Sequence, residues 1–234
     1  PGDRELELPS PFEEGHLAVA VMDKISTRYL GRETTVRAVL RAILTTVKAK
    51  PGNYMVFCPS YAYLTRLAEA LHRAVPALDI LTQKPHMNAE ERAVFLARFD
   101  ANPSRALIGF CVMGGIYSEG IDLVGRRLVG AVIVGVGLPS VSDEREAIAA
   151  YFDDKSEEGR GYAYVYPGMN RVLQAAGRVI RSEGDRGVVL LIDDRFASPE
   201  YRRLLPAHWH GLHFVGDTEG LAHLLGNFWR GGKA

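Results

Sequence analysis

The sequence has 234 residues, of which 47% are hydrophobic and 24% are charged, as is typical of a globular protein with a substantial buried core. Its 28 Lys and Arg balance its 28 Asp and Glu, so no overall charge draws the protein to nucleic acid or membrane, and any such contact must be local. No apolar run approaches the ~20 residues that cross a bilayer, and the amino terminus has no signal segment, so we expect a cytoplasmic protein.

Apolar, β-branched runs alternate with longer amphipathic stretches along the chain. The predicted strands are Leu17–Val21, Tyr54–Cys58, Ala106–Val112, Leu128–Val136, Tyr162–Tyr166 and Val188–Ile192. The predicted helices are Glu33–Ala49, Tyr61–Ala74, Ala89–Phe99, Ser142–Ser156 and Asn170–Ser182. Several strands are apolar at consecutive positions, as strands covered on both faces must be. The alternation predicts an α/β fold with a mainly parallel β-sheet flanked by helices on both faces.

Residues 1–15 contain Pro9-Ser10-Pro11-Phe12 and are predicted to be an interdomain connector, and residues 16–234 a single domain whose tail packs back on it. Cys58 and Cys111 lie in apolar runs without CxxC spacing, which favours buried thiols over a disulfide or a metal site. The tail histidines 208, 210 and 213 have no acidic or cysteine companions, so we predict no metal site.

Ligands of open α/β sheets bind beyond the carboxyl ends of the strands. One candidate there is Ser60, followed by Tyr61, directly after the predicted strand that ends at Cys58. Ser60 would cap the next helix and present free backbone N–H groups where a phosphate could dock. A plain helix cap explains the same residues, and the sequence leaves both interpretations open.

A glycine-rich loop, residues 114–122, follows the predicted strand that ends at Val112. It contains three glycines, where a simple turn needs only one, and two acids: Gly114, Gly115, Gly120, Glu119 and Asp122. Asp122 could accept a ribose hydroxyl bond and Ser118 could touch a phosphate, whereas Glu119 would repel phosphate unless an arginine pairs with it. A long turn with solvated acids remains the alternative.

The strongest pattern is in the predicted helix Asn170–Ser182. At 3.6 residues per turn, one face would carry Gln174, Gly177, Arg178 and Arg181. A glycine in mid-helix costs ~1 kcal/mol relative to alanine, which suggests that a ligand or another chain approaches closely there. Arginines on a rigid face can clamp phosphate and neutralise charge on a transferring phosphoryl group. A solvated arginine face is the alternative interpretation.

Familiar catalytic patterns are missing from the sequence. There is no GxxxxGK(S/T) phosphate loop, so the chain has no site recognisable by pattern that would hold ATP and Mg²⁺ by itself. HExxH, GxSxG and zinc-ligand spacings are also missing, which argues against metalloprotease and esterase functions.

Four stretches, in this order, resemble the carboxyl-terminal helicase domain of the XPD/DinG family in superfamily 2. The first, Ser10–Phe12 followed by Asp23–Tyr29, resembles the family's entry into its second motor domain. The other three are similar to helicase motif IV (Val56–Tyr61), motif V (Gly115–Asp122 with Gly125) and motif VI (Gln174–Arg181 with Asp185 and Gly187). The resemblance implies a RecA-like domain, a P-loop NTPase-like fold without its own phosphate loop. ATP would then bind between two motor domains.

The resemblance also implies a role for individual residues. Arg178 and Arg181 would reach the γ-phosphate, and Gln174 would sense the nucleotide. Bordering the nucleotide would be Glu119, Gly120, Asp122 and Gly177. The predicted contacts to single-stranded DNA are Ser60, Tyr61, Gly115 and Ser118.

The implied protein is an ATP-dependent DNA helicase associated with a bacterial or archaeal nucleoid. This chain would supply one half of its two-domain active site. The amino-terminal motor domain of the same polypeptide would hold most of the ATP and Mg²⁺, and in some members an iron–sulfur cluster, so the chain alone would be inactive. The family implies DNA repair and 5′ to 3′ polarity. The alternatives are a catalytically inactive nucleic-acid-binding or regulatory RecA-like module and a nucleotide-sugar transferase half-domain.

Overall fold

The computed structural model describes residues 13, 15–118, 123, 125–156, 158–209 and 212–231. Its sheet contains the strands β1 (Leu17–Met22), β2 (Asn53–Cys58), β3 (Asp79–Thr82), β4 (Leu107–Val112), β5 (Gly130–Val134), β6 (Gly187–Ile192) and β7 (Leu212–Phe214). They lie in the order β3-β4-β2-β5-β6-β1-β7, and every neighbouring pair is parallel. The predicted α/β fold with a parallel sheet is confirmed.

The helices are α1 (Arg32–Ala49), α2 (Tyr61–Ala74), α3 (Ala89–Ala97), α4 (Asp143–Ser156), α5 (Tyr166–Ala176), α6 (Pro199–Arg202) and α7 (Thr218–Trp229). Short 3₁₀-helices span Gly125–Arg127 and Asp194–Ala197, and a π-helix spans Gly161–Val165. Helices α1, α2 and α7 cover one face of the sheet, whereas α3 and α5 cover the other. Within the described residues, no helix is both long and apolar enough to span a bilayer.

Each strand of the sheet centre contributes to two hydrophobic cores. In β2, Tyr54, Val56 and Cys58 pack on the face of α1 and α2, whereas Met55 and Phe57 pack on the opposite face. Alternate residues of a strand point to opposite faces, so a strand covered on both sides must be apolar throughout. This is why β2 has no polar position at its centre.

The predicted buried thiols are confirmed. Cys58 and Cys111 are free and fully buried, and burial raises the pKa of both thiols above the usual range. They project to opposite faces of the sheet, Cys58 into the core of α1 and α2 and Cys111 into the core of α3 and α5. Both therefore act as small apolar side chains.

The predicted strand Tyr162–Tyr166 is wrong, because these residues form the π-helix and the start of α5. The alternation of tyrosine with small residues has the period of a strand. In the structure the Tyr162 ring stacks on Phe152 at 4.0 Å between centroids and meets the Tyr166 ring edge-on at 5.2 Å. Residues four apart meet on a helix and not on a strand, so this aromatic cluster stabilises the helical form.

The carboxyl-terminal tail packs against the sheet and α1. Strand β7 extends the sheet beside β1, and Leu221, Leu225 and Phe228 of α7 enter the core beneath α1. The Arg186 guanidinium lies 4.5 Å from the Phe228 ring centroid and donates to the Phe228 carbonyl at 2.6 Å. The tail is thus part of the hydrophobic core and of the sheet.

Candidate functional site

The arginine-bearing segment leaves the helix earlier than the sequence pattern indicates. Helix α5 ends at Ala176, and Gly177 caps it with φ −65° and ψ −2°. The Gly177 N–H donates to the Leu173 carbonyl at 2.9 Å, and the Arg178 N–H donates to the Ala175 carbonyl at 3.3 Å. The predictions of a helix through Ser182 and of a mid-helix glycine are therefore wrong. Arg178 and Arg181 lie in the turn that follows the helix.

A buried carboxylate organises this turn. Asp185 is 4% exposed, and its Oδ2 accepts the backbone N–H groups of Arg181 at 2.7 Å and Ser182 at 2.8 Å. Its Oδ1 accepts the Ser182 hydroxyl at 2.9 Å and the Gly125 N–H at 3.0 Å. These N–H groups lie five and six residues beyond the end of α5, where a side-chain acceptor replaces the carbonyl that a helix would offer. One carboxylate thereby joins the segment of Arg181 to the segment that contains Gly125.

Arg178 connects the same two segments through its side chain. Its Nε donates to the Ser118 carbonyl at 3.0 Å, 60 residues away in sequence. Ser118 is fully buried, and its hydroxyl accepts the Gly114 N–H at 3.0 Å and donates to the Val112 carbonyl at 3.4 Å. The hydroxyl therefore stabilises the loop after β4, and Arg178 packs against that loop. Glu119, Gly120 and Asp122 lie outside the described residues.

The remaining predicted residues of this group, Gln174, Gly177 and Arg181, are exposed. The structure adds Arg171, which lies three residues before Gln174 and seven before Arg178. Its Nη1 donates to the Gly137 carbonyl at 3.3 Å, and a Cβ at Gly114, where φ is +69°, would lie 2.8 Å from Arg171 Cδ. Arg171 thus holds together the loops that follow β4 and β5. Its helical spacing from Gln174 was the available signal.

The second group of predicted residues lies at the carboxyl ends of β2 and β4. Ser60 caps α2, with its hydroxyl accepting the Tyr63 N–H at 3.3 Å. The Tyr61 hydroxyl accepts from Gln83 Nε2 at 3.0 Å, and Gln83 Oε1 accepts the Val112 N–H at 2.9 Å. Gln83 is 3% exposed, and it joins the start of α2 to the loop after β4. No sequence pattern indicated Gln83, because strand β3, which precedes it, was not predicted.

Gly115 lies in the same corner. A Cβ there would be 2.9 Å from the Val112 carbonyl oxygen and 3.2 Å from Gln83 Nε2. Because real Cβ atoms essentially never approach a backbone oxygen so closely, the loop requires glycine at this position. Ser60, Tyr61, Gly115 and Ser118 are therefore brought to one edge of the sheet.

A buried ion pair lies directly after β6 at the same edge, and Thr27, in the loop after β1, bonds to its carboxylate. Asp193, which follows β6, is fully buried and accepts from Arg195 Nε at 2.6 Å and Nη2 at 2.9 Å. It also accepts the Thr27 hydroxyl and, at 3.3 Å, the Thr27 N–H. Burial alone would raise the pKa of Asp193, but Arg195 and Thr27 outweigh it and hold that pKa below its usual value. The loop after β1 is thereby fixed to the end of β6.

The described residues contain no group of three or more His, Cys, Asp or Glu side chains that could hold a metal ion.

The Asp185 carboxylate should control local opening of the segment that follows α5. For Asp185→Asn we expect amide hydrogen exchange at Gly125, Arg181 and Ser182 to accelerate by about 5- to 150-fold, because a lost charged acceptor costs ~1–3 kcal/mol. Exchange at core amides of β2 should be unchanged. Hydrogen-exchange mass spectrometry measures these rates. The control is Asp217→Asn, which alters the N-cap of α7. Equal acceleration at all sites would show that Asp185 acts on global stability only.

The comparison with protein families identifies the domain. The family model "Helicase C-terminal domain" matches residues 43–211, more than half of the chain. The chain therefore belongs to the helicase C-terminal domain family.

Two curated relatives illustrate the match. The ATP-dependent DNA helicase chl-1 of Caenorhabditis elegans is 30% identical over 189 residues, covering 77% of this chain and 22% of that protein. Regulator of telomere elongation helicase 1 of Homo sapiens is 29% identical over 203 residues, covering 79% of this chain and 16% of that protein. The chain thus spans less than a quarter of either relative.

Solved structures share the fold. An apo XPD structure has a TM-score of 0.66 at 20% identity, covering 85% of this chain and 39% of that chain. Domain 2 of the DEAD-box helicase Mss116p, solved bound to an RNA duplex, has a TM-score of 0.51 at 17% identity, covering 85% of this chain and 62% of that chain. At these identities the likeness establishes the RecA-like fold.

Proposed function

We propose that this chain is the carboxyl-terminal motor domain of an ATP-dependent DNA helicase of the XPD/DinG type. The observation that carries the proposal is the bond between Arg178 and the Ser118 carbonyl. It joins the two segments that resemble helicase motifs V and VI, which 60 residues separate in the sequence. Asp185 joins the same segments through Gly125 and Arg181. Two independent contacts therefore support one composite surface.

On this surface, Arg178 and Arg181 would approach the γ-phosphate of an ATP bound between two motor domains. Phosphoryl transfer depends on positioning and on neutralising negative charge, which guanidinium groups supply in forked geometry. Gln174, exposed one turn before Arg178, would sense the nucleotide. Glu119, Gly120, Asp122 and Gly177 would border it. The amino-terminal motor domain would hold most of the ATP and the Mg²⁺, since this sequence has no phosphate loop.

The edge that carries Ser60 would form part of the track for single-stranded DNA. The first N–H groups of a helix have no intrahelical partners, so the start of α2 suits a backbone phosphate. Tyr61 and Gly115 lie close to this helix start, because both contact the Gln83 side chain. Ser118 would contribute by holding the Gly114–Gly115 turn, since its own hydroxyl is buried. Closure of the two motor domains on ATP and their relaxation after hydrolysis would move this track along the strand.

ATP turnover tests the proposal. We expect no turnover from this chain alone, with or without single-stranded DNA. When it is joined to an amino-terminal motor domain of the family, we expect turnover that single-stranded DNA stimulates. Robust turnover by this chain alone would overturn the assignment of the nucleotide site. DNA binding without turnover by the two-domain protein would support the inactive RecA-like module instead.

A further inference from the structure

The loop after β1 presents two large apolar side chains to solvent. Tyr29 is 78% exposed and Leu30 is 94% exposed. They form the tip of a turn in which the N–H groups of Gly31 and Arg32 both donate to the Arg28 carbonyl at 2.9 Å. No residue of this tip has a place in the function proposed above. Loops that a rigid scaffold positions often carry binding residues.

The turn is fixed at both of its ends. On one side, Thr27 is buried and donates to Asp193 through its hydroxyl and its N–H. On the other side, the Thr35 hydroxyl of α1 donates to the Ser26 carbonyl at 2.7 Å. These bonds determine the position of Tyr29 relative to the sheet. Its exposure is therefore a property of an ordered loop.

An arginine holds the Tyr29 ring in place. Arg32 Cζ lies 4.9 Å from the Tyr29 ring centroid and 5.0 Å from that of Tyr63. Arg32 Nε is buried and has no hydrogen-bond partner in the described part of the chain. The guanidinium is thus committed to the two rings, an arrangement that cation–π attraction stabilises. Tyr29 is supported by Arg32 while most of its surface stays open to solvent.

The open ring lies beside the start of α2. Tyr63 belongs to the first turn of α2, and its N–H donates to the Ser60 cap. At the end of β5, a Cβ on Gly135 would lie 3.1 Å from Thr27 Oγ1 and 4.0 Å from Pro59 Cγ. The loop after β1 therefore crosses the carboxyl edge of the sheet next to Pro59 and Ser60. A single strand of DNA that contacts Ser60 would therefore pass close to Tyr29.

The same loop carries exposed cations. The side chains of Lys24 and Arg28 are 70% and 59% exposed. Arg28 donates through Nε to Asp194 at 3.1 and 3.3 Å. Its two terminal amino groups make no hydrogen bond to the described residues. These groups can donate to a phosphate while the Asp194 pair persists. Aromatic rings interleaved with cations are the usual platform for unpaired bases and their phosphates.

We infer that Tyr29 is a base-stacking platform for single-stranded DNA, with Leu30 beside the stacked base and Arg28 on a backbone phosphate. The inference rests on the proposed function and adds a contact to it. An unpaired base offers a flat apolar face to the open Tyr29 ring, whereas the bases of a duplex are already stacked on each other. The site would therefore favour single strands over duplexes.

The test is binding of a fluorescent oligothymidylate of about 16 nucleotides to this chain, measured by anisotropy. We expect Tyr29→Ala to weaken binding by roughly 5- to 150-fold, as for one lost base stack, and Tyr29→Trp to preserve it. Tyr151→Ala is the matched control, because Tyr151 is 58% exposed and lies 4.9 Å from Lys155 Nζ. We expect the control to bind as the wild type does. Circular dichroism of each variant checks that the fold is retained.

An abasic oligonucleotide provides a second readout. The wild type should bind the abasic oligonucleotide more weakly than oligothymidylate. Wild type and Tyr29→Ala should bind the abasic oligonucleotide with nearly equal affinity. If the wild type binds oligothymidylate and Tyr29→Ala binds equally well, the inference is wrong and the proposed function stands. If the variant binds normally but loses DNA-stimulated ATP turnover in the two-domain protein, the loop contacts the other motor domain and the inference is also wrong. Failure of the wild type to bind would overturn the proposed DNA track itself.

Discussion

ATP turnover by the two-domain protein should fall by about 10³-fold or more when Arg178 is replaced by alanine. An arginine that neutralises charge on the transferring phosphoryl group contributes about 10³ to 10⁵ to kcat. The bond from Arg178 Nε to the Ser118 carbonyl suits this role, because it fixes the base of the guanidinium at the motif V loop. The measurement is steady-state hydrolysis of ATP with saturating single-stranded DNA. The loss should appear in kcat and much less in KM.

Two variants separate this effect from loss of structure. Arg178→Lys keeps a positive charge without the forked geometry, so we expect it to remain strongly impaired. Arg105→Ala removes an exposed arginine from the loop before β4 and should leave turnover unchanged. Urea unfolding of Arg178→Ala should show a loss of only ~1–3 kcal/mol, the usual cost of one charged hydrogen bond. Turnover at the wild-type level in Arg178→Ala would remove Arg178 from the proposed site.

Replacing Asp193 by asparagine should lower the free energy of unfolding by about 3–5 kcal/mol, the usual cost of breaking a buried ion pair on one side. The Asp193 side chain is fully buried and that of its partner Arg195 is 13% exposed, so the variant leaves a charge without its counterion in the interior. Urea unfolding at neutral pH measures the loss. Asp194→Asn is the matched control, since it removes the half-exposed pair with Arg28 and should cost at most ~1 kcal/mol.

The same pair predicts a pH dependence. The pKa of Asp193 is lowered in the folded protein, so its ionised form contributes stability above the unfolded value of about 3.9. That contribution is lost as the pH falls through the folded pKa, which lies lower still. The difference between wild type and Asp193→Asn should therefore stay constant from about pH 7 to pH 5 and shrink below about pH 4. A difference that grows with acidification would contradict the ion pair.

The central strands could be predicted from sequence because each must bury both faces. Strands β1, β2, β4, β5 and β6 are apolar throughout except at Asn53, the first residue of β2. Their predicted positions agree with the structure to within two residues at each end. Strands β3 and β7 were not predicted. Each lies at an edge of the sheet with one neighbour, is short and is mostly not buried. An edge strand does not need a continuous apolar run, so the signal used for the others was absent.

The motifs of the candidate site were predicted one by one from the sequence. The hydrogen bonds that connect these motifs were not predicted. Nothing in the spacing indicates that Arg178 bonds to Ser118, since such contacts depend on the order of the strands. The prediction of a helix through Ser182 failed because Asp185, outside that helix, accepts the N–H groups of Arg181 and Ser182. Gln83 and Arg171 were missed for a related reason. Each connects loops that become neighbours only in the folded sheet.

The order of strands in the sheet has a consequence for synthesis on the ribosome. Strand β1 pairs with β6 and β7, and its first residue, Leu17, lies opposite Gly187. About 170 residues must therefore be added before β1 has any neighbour, which takes roughly 10 to 30 seconds at usual elongation rates. During that time a fully apolar segment, Leu-Ala-Val-Ala-Val-Met, is outside the ribosome without a partner. We expect nascent chains of this protein to depend on a chaperone that shields the β1 segment until β6 emerges.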